Sequence, residues 1–236
     1  MAACVEGRPL NPSSQHCTGP FIAGVGLTHL SVYEQRPAPD GLSSGCAHVH
    51  ALTDEAYYVV GGEGAIELHD AEHGFRSVPL ARGDFVQFPP GTLHRSVSTR
   101  GLEVLALMGN AGLAERGDAR LYFGAQVDAD PAEYQRLKAL PQHAGLDGAL
   151  ERRDASVRAY LQLLQLWRDD RSAYFAELSR FVELHRRDIA ARRDEFALAG
   201  VAAAPLGASA AVRHGQLQSS FGMCGVLRQF HAADPV

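Results

Sequence analysis

The stretch "GCAHVHALTDEAYYVVGGEG", residues 45–64, sets two histidines one residue apart, a glutamate five positions after the second, and then an aromatic run closed by glycines. In an extended chain alternate side chains share a face, so Cys46, His48 and His50 point the same way. A bend at "ALTD" lets Glu55 rejoin that face from the next strand, with Tyr57 and Val59 beside it. Downstream, in "GDFVQFPPGTLHRSVS", residues 83–98, Gly83 and the run Pro89, Pro90, Gly91 build a turn that delivers His94. His48, His50, Glu55 and His94 are therefore candidate ligands of a single metal ion.

The surroundings of these two stretches read as all-β. From Phe21 to about Val127, short β-prone runs such as "LTHLSVYEQ", "AIELHD", "DFVQFP" and "LEVLALMG" alternate with Gly, Pro, Asp and Asn, the spacing of a sandwich or barrel. No crossover helix fits between them, which excludes a parallel βαβ sheet and favours antiparallel strands closing on themselves. Residues 1–20 lack a sustained period and are rich in turn formers, so a flexible arm is expected there.

After Asp128 the texture changes. "DPAEYQRL" offers an Asp N-cap, Pro at the first helical position and Glu three residues after the cap. Two amphipathic helices are expected beyond it, from about Ala149 to Asp170 and from Ser172 to Ala199. The expected organisation is thus an arm over residues 1–20, a β domain over 21–127, a helical extension over 128–200 and a tail over 201–236, in which "GMCGVLRQF" adds an edge strand.

The two histidine-bearing stretches together resemble the cupin superfamily. Its first motif, HxHxxxxExxxxxxG, is met by His48, His50, Glu55 and Gly62, and its second, GxxxxxPxGxxHxxxN, by Gly83, Pro89, Gly91 and His94. With this chain's residue frequencies, eight such matches by chance have a probability on the order of 10^-6. Two positions depart from the pattern: Leu42 stands where the family often has glycine, and Ser98 replaces the terminal asparagine. The resemblance implies a mostly β fold, a cupin-type double-stranded β-helix or jelly-roll barrel over residues 21–127, with a metal ion in its mouth. It does not extend to the C-terminal helices.

Three neutral imidazoles and one carboxylate around a divalent ion leave a net charge of about +1, and an octahedral ion would keep about two positions open. A donor set without thiolate favours iron(II), with manganese, nickel, cobalt or zinc as alternatives, over a closed structural zinc site. The function expected is that of an iron-dependent dioxygenase taking O2 and a small organic substrate. The alternatives are an O2-independent metal-dependent isomerase, lyase or decarboxylase, or a non-catalytic ligand-binding cupin.

Other residues have more than one use. Tyr57, on the ligand face, is either a hydrogen-bond donor or acid beside the ion, or a packed aromatic. Tyr58 faces the opposite way and is expected in the core. Cys46 shares the histidines' parity but reads as an inert buried thiol, Gln87 or Ser96 lines the cavity, and Asp84 bonds backbone amides in its loop. Arg95 points away from His94 and is expected as a surface charge.

Composition narrows the function classes. The 236 residues are 46% hydrophobic and 21% charged, which suits a folded soluble chain, and the formal charge of -5 argues against a nucleic-acid binder. Arg186, Arg187, Arg192 and Arg193 are interrupted by acids, and no recognition helix or phosphate-cradling glycine loop is present. No run is long and apolar enough for a membrane span, so a cytoplasmic address is the default. Cys4, Cys17, Cys46 and Cys224 show no CxxC spacing and are expected reduced. The helices either cover the barrel, present a surface to a second subunit in an expected homodimer, or close over the pocket as a lid.

Overall fold

The computed structural model describes residues 25–109, 113–139, 144–192, 212–214, 218–229 and 232–235. The expected arm over residues 1–20 and the end of the expected second helix, residues 193–199, lie outside the described residues.

Two sixteen-residue strands organise the molecule, β4 (Glu55–Asp70) and β7 (Leu93–Met108). They pair antiparallel along their length, with register shifts between Val59 and Gly64. Each strand serves two layers on either side of that irregularity. The first half of β4 and the last half of β7 join β6 (Phe85–Phe88), β1 (Gly26–Val32), β11 (Gly225–Gln229) and β10 (Gln218–Phe221). Their other halves join β5 (Gly74–Ala81), β2 (Ser43–Ser44), β3 (His48–His50) and β8 (Ala119–Leu121). Gly62 makes the corner: its φ is +71°, and a Cβ there would stand 2.0 Å from the Gly101 carbonyl oxygen. Among the described residues the path ends at β10 and β8, so the expected barrel is an open two-layered jelly roll rather than a closed cylinder. Val212–His214 (β9) and Ala232–Pro235 (β12) pair separately.

Alternation fills the space between the layers with Leu30, Val32, Tyr57, Val59, Ile66, Leu68, Leu102 and Val104. "GMCGVLRQF" does contain a strand, but β11 lies between β1 and β10, so it is interior rather than the expected edge. The cause is a hairpin: Gly222 N–H donates to the Gly225 carbonyl at 2.8 Å and folds β10 back along β11.

The helices begin where the caps place them. Asp130 accepts from the N–H groups of Ala132 and Glu133 at 3.0 and 3.1 Å, starting α2 (Pro131–Lys138) after the short α1 (Ala125–Asp128). Asp170 separates α3 (Gly145–Asp169) from α4 (Arg171–Ala191) and caps the latter through Ala173 N–H at 2.9 Å. Tyr160, Leu163, Tyr174, Leu178 and Phe181 pack these two helices against Ala47, Val49, Leu93 and Tyr122 on the outer side of the layer that carries β3 and β8.

That cover corrects two expectations. Arg95 does point away from His94, but into the helix-covered side, where it is 1% exposed. It pairs with Glu67 at 2.8 Å and Asp40 at 2.7 Å and lies over the Tyr160 ring. Tyr58 points away from the core of the other layer, which α3 reaches through Ala149 and Leu150 at Phe221 and Val226 of β10 and β11, and is 44% exposed beside Phe85. Gln87 is exposed and does not line the interior, whereas Ser96 is buried. Asp84 bonds backbone as expected, accepting from Ala81 N–H at 2.7 Å.

A buried histidine ties the helices to the sheet. Tyr160 Oη donates to Glu67 at 3.0 Å, so it accepts from His69 Nε2–H at 2.7 Å, while His69 Nδ1 accepts from Tyr174 Oη at 2.8 Å. Burial, aided by the Arg95 charge, pushes His69 down from 6.5 to about 3. In this window the unfolded chain binds a proton that the folded chain refuses, so stability falls as pH drops from 6.5 toward 3. The expected slope from this group approaches ~1.4 kcal/mol per pH unit inside the window. Urea midpoints between pH 7 and 4 should fall more steeply in the wild type than in His69→Gln, and parallel curves would contradict this.

Candidate metal centre

Four side chains from three strands meet between the layers. His48 and His50 share a face of β3, His94 is the cross-strand partner of His48 on β7, and Glu55 opens β4 after the bend. One donor atom from each lies within 4.8 Å of all the others. Glu55 Oε2 stands 3.1 Å from His94 Nε2 and 3.3 Å from His50 Nε2, and the Nε2 atoms of His94 and His48 are 3.0 Å apart. All four residues are buried, at 0–5% exposure.

The remaining ring nitrogens decide what these atoms can do. His48 Nδ1 faces the Cys46 carbonyl at 3.1 Å, His50 Nδ1 the Asp118 carbonyl at 3.1 Å, and His94 Nδ1 the Thr92 carbonyl at 3.0 Å. A carbonyl only accepts, so each Nδ1 carries the proton and each Nε2 presents a lone pair. Three lone pairs and a carboxylate oxygen then point at one another out of contact with solvent. Neither His50 Nε2 nor Glu55 Oε2 has a hydrogen-bond partner. Such a cluster is repulsive until a cation sits at its centre, and the donor types suit a borderline or hard divalent ion. The residues present therefore fit a metal ion.

Tyr57 is fully buried on the same side, its ring edge-on to Phe88 and its Oη 3.5 Å from Ser96 Oγ. Burial, reinforced by the Glu55 charge, raises its pKa well above the ordinary value, so the phenol stays protonated as a donor. Ser98, at the position of the motif's asparagine, accepts from Leu102 N–H at 2.9 Å and donates to Glu34, which also accepts from Gly101 N–H at 2.6 Å. The strand end is thus held without the asparagine.

Sequence reasoning missed three residues around the centre. Asp118, 0% exposed, accepts from Ala51 and Leu52 N–H at 2.9 and 3.0 Å and supplies the carbonyl that orients His50. His185, from α4, reaches the same carbonyl. Cys224 Sγ lies 3.7 Å from His48 Nδ1 and 3.8 Å from its Nε2, whereas Cys46 turns away to pack with Leu121, Phe123 and Tyr134. Both thiols are free. Cys4 and Cys17 lie outside the described residues. No local pattern marks Asp118 or Cys224, because each is brought in by a distant part of the chain.

Among the described residues, no helix is long and apolar enough to cross a membrane. Comparison with known proteins matches residues 33–108 to the cupin domain family. No curated protein matches the chain. Similar solved structures include KdgF from Halomonas sp., 21% identical over 39% of this chain and 73% of that one, with a TM-score of 0.31. A putative sugar phosphate isomerase from Acidithiobacillus ferrooxidans is 26% identical over 36% of this chain and half of its own length, with a TM-score of 0.29. The DMSP lyase DddQ from Ruegeria pomeroyi is 21% identical over 38% of this chain and 40% of its own, at 0.30. Overlaps of this size carry no activity across. The segment that matches the cupin domain family, residues 33–108, spans both histidine-bearing stretches and the paired strands β4 and β7, so the likeness covers the part of the chain that carries the four candidate ligands.

Proposed function

We propose that the protein is a mononuclear metal-dependent enzyme of small-molecule metabolism, and that His48, His50, Glu55 and His94 hold an iron(II) ion for a dioxygenase reaction. The observation that carries this is the convergence of donor atoms from three imidazoles and one carboxylate within 4.8 Å, with no hydrogen-bond partner for His50 Nε2 or Glu55 Oε2. When bound, an ion with this donor set supplies Lewis acidity and, if redox-active, one-electron chemistry at coordination positions left open to O2 and substrate. The chain's own residues do the rest. The carbonyls of Cys46, Asp118 and Thr92 fix the imidazole tautomers, and the ring of Phe88, 4.6 Å from that of His94, puts an apolar wall beside the donors. Tyr57, holding its proton, offers a hydrogen bond to a developing negative charge on an organic substrate and is unsuited to act as a base.

The O2-independent chemistries of isomerases, lyases and decarboxylases use the same donor set, and the test separates the two. Iron(II)-loaded protein, screened against small carboxylated and enolisable compounds with an oxygen electrode, is expected to consume O2 in step with substrate. Equal turnover under strict anaerobiosis would assign it to the O2-independent class.

A further inference from the structure

The helical extension reaches the metal centre at one point. The Asp118 carbonyl oxygen lies 3.1 Å from His50 Nδ1 and also 3.1 Å from His185 Nε2 on α4. A carbonyl has two lone pairs and no proton, so both rings donate to it, and His185 is the Nε2–H tautomer. Asp118 is anchored on its other sides by its carboxylate, which accepts from the N–H groups of Ala51 and Leu52, and by its own N–H, which donates to the Leu113 carbonyl at 2.9 Å, so the orientation of its carbonyl is left to the two imidazoles. The three residues are buried, at 0–3% exposure.

The rest of α4 grips the same segment. Asp188 pairs with Arg120 at 2.6 Å, Ile189 packs with Leu113 and Ala51, and Arg192 Nη2 donates to the Arg116 carbonyl at 2.9 Å. The turn Ala114–Asp118 is therefore clamped between the end of β3 and the helix.

We propose that His185 is a positioning residue of the metal centre: by donating to the carbonyl it shares with His50, it fixes the Asp118 peptide and keeps the His50 Nε2 lone pair aimed at the ion. This rests on the metal-binding function proposed above. Without the second donor the peptide plane turns more freely, and His50 loses the acceptor that sets both its tautomer and its ring angle. The helices, which the β domain's family does not account for, thereby become part of the site's support.

Cobalt(II) titrated into the full chain, followed by its visible absorption and by chelator competition, tests this. His185→Leu is expected to weaken cobalt binding about ten-fold, the lower end of the range for removing an outer support of a ligand, and to shift the cobalt bands. His185→Gln, which keeps an N–H donor, should recover most of the affinity. Leu178→Ala, a cavity on the same helix that faces the sheet core, should lower thermal stability and leave cobalt affinity unchanged. Equal affinity in wild type and His185→Leu, or an equal loss in Leu178→Ala, overturns the role of His185 and leaves the metal centre standing. Failure of the wild type to bind cobalt(II), iron(II) or zinc(II) removes the centre itself and this role with it. Should His185→Leu not fold, the wild type carries the test by NMR. Its His185 ring must appear as the Nε2–H tautomer with resonances that shift on zinc(II) addition, and the other tautomer or an indifferent resonance overturns the proposal.

Discussion

Arg95→Leu is expected to destabilise the protein by about 3–5 kcal/mol, the range for removing one partner of a buried ion pair. The guanidinium is 1% exposed and holds two carboxylates, Glu67 at 2.8 Å and Asp40 at 2.7 Å, whose side chains are themselves only 12% and 9% exposed. Leucine fills much of the space but leaves both acids buried without a counter-charge. Glu67 also accepts from Tyr160, which in turn accepts from His69, so the loss is felt at the joint between sheet and helices. Arg95→Lys should lie between the two, because an ammonium is a point charge that cannot fork to two carboxylates and stack on Tyr160 at once. Urea unfolding at pH 7 reads the effect directly. A loss below about 1 kcal/mol, the scale of an exposed pair, would show that the network is solvated and that α3 does not seal it.

His94→Ala is expected to weaken metal binding by about 10^2–10^3-fold with the fold retained, since four-donor sites of ~10–16 kcal/mol contribute roughly 3–4 kcal/mol per ligand. His94 is the sharpest choice because its Nε2 sits within 3.0 Å of His48 Nε2 and 3.1 Å of Glu55 Oε2, at the middle of the cluster. Its removal also relieves the lone-pair crowding, so the ion-free variant should keep its circular dichroism and its cooperative unfolding. A variant that binds cobalt(II) or iron(II) as tightly as the wild type would place the ion elsewhere.

The centre was legible from the chain because its geometry is local. His48 and His50 share a face by strand parity, Glu55 follows a short bend, and His94 follows a proline-glycine turn. The cupin motifs then joined the two stretches, and the structure brings the four donors together. What stayed hidden depends on which outer face the helices cover. Alternation puts both Arg95 and Tyr58 on the side away from the ligands, where the sequence suggests a surface charge for the first and a core residue for the second. It cannot tell that α3 and α4 cover the strand face behind Arg95 while Tyr58 stays exposed, so one residue became a buried ion-pair centre and the other an exposed tyrosine. Asp118, His185 and Cys224 were invisible for a related reason: each meets the site across 67 to 176 positions of chain, with no repeat or motif to announce it. The interior place of β11 was missed because its hairpin partner, "QSSF", is polar and reads as loop.

The most direct measurement is the metal content of freshly purified protein, paired with its melting temperature before and after dialysis against chelator. Close to one divalent ion per chain is expected, with iron(II) the occupant we propose. Removing the ion should lower the melting temperature, and restoring it at 100 times its Kd should return about 2.7 kcal/mol of stability. A chain that carries no ion, and whose melting temperature does not respond to iron(II), cobalt(II), nickel(II), manganese(II) or zinc(II), would contradict the account at its centre.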